Sequence, residues 1–309
     1  MRSSSVDVAK AFAIGSVFLY HLSPELFKSG FIGVDVFLVV TGYLSAMTLS
    51  KVNGYRFIKD RLVRIYPALS VLMVLGFLGV LTLGYFTEVY GYLKYSISSS
   101  FLLTNFHLYL DNGYFSQDLY SNVLFHLWSI SLEFQSWIIL AFLAYWASFL
   151  RLIYSVGLIS FILAAYVLYI EDVNSFYLLT PFRLWEVVLG VWAFNIKKRL
   201  GGQYSSSLVF IVLCIWSLLV FVDMKEYWYL WPITPILASI MLVSDLRLGT
   251  VWRIIPLYLS RRTYSLYLWH VPIICIFQYY LSMVGWSSVL IIFAATFLIS
   301  ELSYRYIEK

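Results

Sequence analysis

The sequence predicts an all-α, polytopic membrane protein: a bundle of about ten transmembrane helices with both termini in the cytoplasm. Its composition is the first observation, because 61% of the 309 residues are apolar, 12% are charged and the mean hydropathy is +0.83. Soluble domains contain about 25% charged residues. The second observation is the length of the apolar runs, and the third is the placement of Lys and Arg between them. Together they exclude a soluble domain, a disordered chain and a conventional nucleic-acid binder.

The apolar runs give the predicted spans. A helix needs about 20 mostly apolar residues to cross a hydrocarbon layer about 30 Å thick. Ten segments meet this requirement: 8–22, 31–50, 66–86, 124–149, 152–170, 176–195, 207–222, 227–243, 263–281 and 287–306. The segment 87–122, rich in Tyr, Ser and Asn, is predicted to be a loop folded partly into the membrane face. The whole chain, 1–309, is predicted to form a single transmembrane domain.

The cationic residues set the predicted orientation. With the N-terminus inside, sixteen of the 21 Lys and Arg residues fall on the cytoplasmic side and three on the outer side. Lys10 and Arg183 fall within spans. Cytoplasmic loops of membrane proteins carry such an excess of positive charge, so both termini are expected in the cytoplasm.

The two cysteines, Cys214 and Cys275, both lie in apolar runs. This position favours neither a disulfide framework nor a cysteine-based metal site. We therefore expect no metal site and no bound cofactor.

Ionisable residues inside predicted spans are costly and are functional candidates for that reason. The sequence contains seven of them: Lys10, His21, Asp35, Glu133, Arg183, Glu186 and His270. Buried polar groups also pair simply to hold helices together. For any one of these residues, a functional role and a purely structural role are equally good explanations.

His21 and Asp35 are predicted to lie at similar depth on two antiparallel helices, near their outer ends. A carboxylate orients an imidazole and raises its basicity, as a general base requires. A polar clamp between the helices is the equally weighted alternative. Lys10 precedes His21 by eleven positions on the same helix, or about 16 Å at 1.5 Å per residue.

Arg61 and Arg64 lie one helical turn apart at the cytoplasmic mouth of the third span. Arginine pairs recognise phosphate through bidentate hydrogen bonds. Taken alone, the pair is better explained as an ordinary positive-inside anchor.

Seven segments carry a family resemblance: Val6–Ile14 with Phe18–His21, Gly30–Phe37 with Thr41–Tyr43, Arg61–Pro67, His126–Gln135, Arg183–Glu186, Tyr264–Pro272 and Ser303–Glu308. In this order they resemble motifs of the membrane acyltransferase-3 family, whose members O-acetylate O-antigens and exopolysaccharides. Lys10 stands where the family has arginine, which keeps the charge and loses the planar fork. We expect the membrane domain only, without the periplasmic SGNH-hydrolase-like domain of larger relatives.

The resemblance implies transfer of an acyl group, most often acetyl from cytoplasmic acetyl-CoA, across the bacterial inner membrane. The implied acceptor is a hydroxyl of a cell-surface carbohydrate such as O-antigen or exopolysaccharide, with a lipid-linked form left open. Acetyl-CoA would be a co-substrate, and membrane lipid the other partner. The implied donor-binding residues are Lys10, Arg61 and Arg64.

The resemblance also implies catalytic and acceptor-side residues. His21 is expected to be the general base or a transient acyl carrier, with Asp35 orienting it and Glu133 as a second catalytic candidate. The acceptor-side candidates are His126, Trp128 and Ser129. We expect Arg183 and Glu186 to form a structural pair and His270 to be structural, and we assign no role to His107.

Two alternative functions stay open. A transporter or flippase of a lipid-linked sugar fits the composition equally well, although the paired, broken-helix repeats typical of transporters are not found. An acyltransferase acting on a non-polysaccharide acceptor, or with a longer acyl group, also fits. The sequence specifies neither the sugar, the hydroxyl nor the oligomeric state.

Overall fold

A computed structural model describes the chain except residues 1–3, 85, 112, 116–121, 147, 202–205, 225, 245, 247–248, 282–285 and 309. The described residues contain helices and no strand. The α-helices are α1 (Ser4–Leu22), α2 (Gly33–Leu49), α3 (Gly54–Leu83), α4 (Phe86–Ser100), α5 (Thr104–Leu110), α6 (Trp128–Leu143), α7 (Phe149–Tyr169), α8 (Val173–Leu178), α9 (Leu184–Leu200), α10 (Ser206–Leu219), α11 (Ile233–Val243), α12 (Thr250–Ile274) and α13 (Trp286–Tyr306). A π-helical segment, Cys275–Tyr280, follows α12.

The helices confirm the predicted all-α membrane fold. Within the described ranges, six helical segments are long and apolar enough to cross a membrane: Ser4–Leu22, Gly30–Leu49, Gly54–Leu83, Phe125–Leu143, Phe149–Tyr169 and Ser288–Tyr306. Ser207–Leu219 and Trp228–Val243 are shorter apolar helical segments. The count of ten spans and the cytoplasmic location of both termini stay predictions. Arg2, Lys225, Arg247 and Lys309, which entered the charge count, lie outside the described residues.

Two local expectations are corrected. The third predicted span starts at 66, but α3 already begins at Gly54 and carries the basic run on its first turns. Outside the membrane a helix needs only one apolar face and no long apolar run, so hydropathy does not mark its start. The segment 87–122 is not a loop throughout, because α4 and α5 occupy much of it.

The chain forms two compact units whose segments alternate along the sequence. The first unit comprises Met1–Ile58, Ser136–Phe176 and Thr180–Thr263. The second comprises Lys59–Gln135, Tyr177–Leu179 and Tyr264–Lys309. The single domain over 1–309 stays a prediction.

In the first unit, α2 and α9 pack with their backbones nearly touching. A Cβ added to Gly42 would lie 1.8 Å from the carbonyl oxygen of Val187, and one added to Gly190 would lie 1.9 Å from that of Val39. Small residues permit such close approach between membrane helices. This contact fixes the start of α9 against α2, near Asp35, Arg183 and Glu186.

In the second unit, tyrosine hydroxyls attach neighbouring helices to the backbone of α3. Tyr92 donates to the Met73 carbonyl at 2.7 Å, and Tyr264 donates to that of Ile65 at 2.8 Å. Conversely, Tyr66 of α3 donates to the Ser100 carbonyl at 2.7 Å. These bonds hold α4 and the later part of α12 in fixed register with α3.

Candidate active site

Arg183, Asp35 and Glu186 form a buried charge cluster in the first unit. Arg183 Nη2 donates to Asp35 Oδ1, and its Nε lies 2.8 Å from Glu186 Oε1. Both carboxylates are fully buried and Arg183 is 1% exposed. Each carboxylate lies in the first turn of its helix, α2 or α9, where the helix dipole favours negative charge. The predicted structural pair of Arg183 and Glu186 is confirmed.

Aromatic side chains enclose this cluster. The indole nitrogen of Trp231 donates to Asp35 Oδ2 at 3.0 Å. The Arg183 guanidinium lies 5.1 Å from the centre of the Phe176 ring, which contacts the Trp231 ring. Phe31 contacts the same indole. The low dielectric of such surroundings strengthens each polar contact inside.

The predicted direct pair of His21 and Asp35 is corrected. In the part of the chain that the structure describes, the hydrogen bonds to the Asp35 carboxylate come from Arg183 and Trp231. Arginine is the stronger partner, since it offers full charge as well as hydrogen bonds. His21 is 3% exposed near the end of α1, beside Tyr20, whose ring contacts Phe31. Aromatic contacts through Tyr20, Phe31 and Trp231 thus connect His21 to Asp35.

Lys10 lies half-buried on α1, the helix that carries His21. Lys10 precedes His21 by eleven residues, which corresponds to about 16 Å along the helix axis. The single helix fixes this separation.

His126 of the second unit bonds to a helix carbonyl that lacks its usual donor. Its Nε2 lies 3.2 Å from the Leu268 carbonyl oxygen. Within α12 that oxygen would accept from the nitrogen of Pro272, which has no N–H. The His270 ring lies 5.5 Å from that of His126, and its Nδ1 donates to the Tyr267 carbonyl at 2.6 Å. His270, which we expected to be structural, therefore lies among the acceptor-side candidates.

The other two acceptor-side candidates are also buried at the start of α6. Ser129 donates to the Tyr267 hydroxyl at 2.7 Å, and that hydroxyl donates to the His126 carbonyl at 2.5 Å. Trp128 packs its ring against Tyr177 at 4.7 Å between centroids. The bonds of Tyr267 fix the start of α6 against α12, and the Trp128 contact fixes it against α8.

Each of the two predicted donor-binding arginines has a carboxylate neighbour. Half-buried Arg61 lies within electrostatic reach of Glu133, which we predicted as a second catalytic residue. Exposed Arg64 lies within reach of Glu308. Ser265 donates to the Glu308 carboxylate. Burial raises the pKa of Glu308 above its usual value, and Arg64 opposes that shift.

Trp231 and Tyr267 were missed among the functional candidates, because neither carries a charge. Pro272 does indicate that α12 needs an outside donor such as His126, because a proline inside a helix leaves one backbone carbonyl without its usual N–H partner. Nothing in the sequence identifies Trp231 as the donor to Asp35. Among the described residues no group of three or more His, Cys, Asp or Glu could hold a metal ion.

The fold and these clusters define a multi-pass membrane protein that holds histidines and charged groups inside its helical units. Its family follows from the sequence as a whole. A family model described as an acyltransferase domain matches residues 3–305, so the chain belongs to this acyltransferase-3 family. The resemblance of the seven segments to this family is confirmed.

Curated relatives are similar over almost the whole chain. The peptidoglycan O-acetyltransferase OatA of Listeria monocytogenes is 29% identical, with 98% of this chain and 55% of the relative covered. The O-acetyltransferase OatA of Staphylococcus aureus is 28% identical, with coverage of 98% and 56%. A candidate membrane-bound transacylase, BcsY of Komagataeibacter xylinus, is 28% identical, with coverage of 100% and 82%.

The chain spans about half the length of the two OatA proteins. The similarity therefore concerns their matched part. No solved structure matches the chain.

Proposed function

We propose that the protein transfers an acetyl group from cytoplasmic acetyl-CoA across the bacterial inner membrane to a hydroxyl of a cell-surface carbohydrate. The family membership and the two relatives named as O-acetyltransferases support O-acetyl transfer. The Listeria relative is named for peptidoglycan, which supports a carbohydrate acceptor. O-antigen, exopolysaccharide and their lipid-linked forms belong to the same chemical class.

The observation that carries this proposal is the position of His21, a buried imidazole on the same helix as a half-buried lysine. We assign His21 as the general base. It takes the proton of the acceptor hydroxyl as the oxygen bonds to the thioester carbonyl carbon. The carbon–sulfur bond then breaks, and the CoA thiolate recovers the proton. Transient acylation of the His21 ring is the alternative course of the same transfer.

Asp35 contributes to this chemistry through its neighbours. Its carboxylate holds the Trp231 indole, and Phe31 packs between that indole and the Tyr20 ring beside His21. We therefore assign Asp35 as a positioning residue that fixes the aromatic wall near the base. Arg183 holds this carboxylate in place through a charge-assisted bond.

Arg61 and Arg64 are assigned to the phosphates of the donor, with Lys10 as a third cation on α1. Guanidinium groups match phosphate bidentately, and the coenzyme head carries several phosphates. Glu133, within electrostatic reach of Arg61, is assigned as the second catalytic residue, which positions the acceptor or shares the proton transfer. His126, Trp128 and Ser129 are assigned to the acceptor side as a buried support.

The test combines donor binding and transfer in inside-out membrane vesicles that contain the surface glycan. We expect acetyl-labelled acetyl-CoA to place its label in the glycan. Replacing both Arg61 and Arg64 by Gln should weaken acetyl-CoA binding at least about tenfold. Arg151→Gln removes an exposed cation on α7 and is the matched control.

If the double variant bound acetyl-CoA as tightly as the unchanged protein, both arginines would be membrane anchors and not donor-binding residues. Donor binding without labelled glycan would exclude the carbohydrate tested as acceptor. Failure of both binding and labelling would overturn the proposed function and favour the transporter alternative.

A further inference from the structure

The helical hairpin of α4 and α5 holds a polar cluster that the proposed mechanism does not use. Tyr95 and Ser98 lie on α4, and His107 lies on α5 with Asp111 at its C-terminal end. Ser99 and Thr104 share a hydrogen bond at 3.0 Å where the two helices meet, and the Thr104 N–H donates to Ser131 of α6 at 3.1 Å. The cluster thus lies on fixed backbone.

The hydrogen bonds set the tautomer of His107. Ser98 Oγ lies 3.0 Å from the Tyr95 carbonyl oxygen and uses its single proton there. It therefore accepts from His107 Nδ1, which lies 3.2 Å away. With the proton on Nδ1, Nε2 is a hydrogen-bond acceptor. The described residues offer that nitrogen no hydrogen-bond partner.

The ring of His107 is held flat and is only partly covered. It stacks on the Tyr95 ring with centroids 4.2 Å apart and planes 22° apart. The Tyr95 hydroxyl donates to Asp111 Oδ2 at 3.1 Å, which fixes the carboxylate one turn beyond His107. His107 is half-buried and Asp111 is exposed, so solvent reaches this face of the cluster.

A cation and a second aromatic ring extend the cluster. Exposed Lys94 lies 4.5 Å above the centre of the Tyr90 ring and within electrostatic reach of His107. Burial and Lys94 lower the pKa of His107, and Asp111 opposes them. The imidazole therefore remains an uncharged acceptor at neutral pH.

We propose that the cluster formed by Tyr90, Lys94, His107 and Asp111 is a binding subsite for hydroxyl groups of the carbohydrate acceptor. Nε2 of His107 and the Asp111 carboxylate accept hydrogen bonds from sugar hydroxyls, and the Lys94 ammonium donates one. The exposed Tyr90 ring offers an apolar face for the C–H side of a sugar. Such a preorganised set of donors and acceptors recognises a polyol at small entropic cost.

Interhelical packing alone explains only part of this arrangement. The stack with Tyr95 and the Ser98 bond hold α5 against α4, and a phenylalanine at position 107 would keep the stack. The accepting nitrogen and the ammonium contribute nothing to that contact, and the Asp111 carboxylate uses only Oδ2 in it, to accept from Tyr95. Their convergence on one solvent-reached face is what indicates a polyol ligand.

This subsite rests on the proposed function, so its test measures binding and transfer separately. The probe is glycan from the source cell surface, stripped of O-acetyl groups, added to the purified full-length chain. His107→Phe keeps the ring stack and removes the acceptor nitrogen. We expect it to weaken glycan binding, and to raise the KM for glycan, about tenfold. The kcat and acetyl-CoA affinity should stay unchanged.

Two further variants keep the test decisive. Asp111→Asn should also weaken glycan binding, and it tests the subsite if His107→Phe fails to fold. Leu110→Ala is the matched control, because Leu110 is 80% exposed on the same helix. It should bind glycan normally.

Each outcome decides the proposal. Unchanged glycan affinity in both His107→Phe and Asp111→Asn would overturn the subsite, as would a normal protein that binds no glycan. Binding that depends on His107 in a protein that transfers no acetyl group would support the subsite and refute the proposed function.

Discussion

His126 donates through Nε2 to the carbonyl oxygen of Leu268, 142 positions away in the sequence. That oxygen is available because Pro272, four residues later in α12, has no N–H to offer it. One histidine thereby completes the hydrogen bonding of a helix to which it does not belong.

This relationship predicts a coupling between His126 and Pro272. His126→Ala should lower the free energy of unfolding in detergent by about 1–3 kcal/mol, because it leaves a buried carbonyl without a donor. In a Pro272→Ala background the backbone N–H at 272 can donate to the Leu268 carbonyl. His126→Ala should therefore lower the free energy of unfolding by less in that background. Equal costs in the two backgrounds, measured as a double-mutant cycle, would refute the coupling.

The cluster around Arg183 predicts a large loss of stability when its cation is removed. Arg183→Gln would leave Asp35 and Glu186 buried together without a positive partner, at a cost of about 3–5 kcal/mol. Arg305→Gln is the control, since it breaks an exposed ion pair with Glu301 worth at most about 1 kcal/mol. Thermal unfolding in detergent compares the two. Similar small losses would contradict the assigned role of the cluster.

The backbone contact of α2 and α9 predicts that two glycines tolerate no side chain. Gly42→Ala or Gly190→Ala would place a Cβ within 2 Å of a carbonyl oxygen and force the helices apart, lowering the free energy of unfolding by about 1–3 kcal/mol. At Gly79 of α3 the added Cβ meets no atom within 4 Å. Gly79→Ala should therefore leave stability unchanged or raise it by up to about 1 kcal/mol. Equal effects at the three positions would disprove the close approach.

Much of the fold could be predicted because hydropathy is a local property. Every predicted span overlaps a helix of the structure, and the all-α membrane class is confirmed. The start of α3 and the helices α4 and α5 were missed. Outside the membrane a helix needs only one apolar face, so its sequence lacks the long apolar run that marks a span.

The pairings of the candidate site residues could be predicted only in part. Arg183 and Glu186 pair as expected, because residues three apart share a helix face. Asp35 was assigned to His21, yet it bonds to Arg183 and Trp231. Those partners come from elements far along the chain, and no spacing in one sequence shows which helices become neighbours.

The proposed glycan subsite predicts a pH dependence of binding. Affinity should fall as the pH is lowered through the pKa of His107, since the protonated ring cannot accept a hydrogen bond. Lys94, Tyr95, Ser98 and Asp111 face the ring, and burial together with Lys94 keeps that pKa below its usual value of 6.5. The loss should therefore set in only under acidic conditions and be absent from His107→Phe. If glycan affinity fell by the same factor with pH in His107→Phe, the titrating group would be a residue other than His107.

In the proposed mechanism, acyl transfer depends on His21. The most direct measurement supplies acetyl-labelled acetyl-CoA to inside-out vesicles that contain the surface glycan, with either the unchanged protein or His21→Ala. We predict that label enters the glycan with the unchanged protein and not with the variant, while the variant keeps its thermal stability and its affinity for acetyl-CoA. Labelling of the glycan at the normal rate by a folded His21→Ala protein would contradict the account.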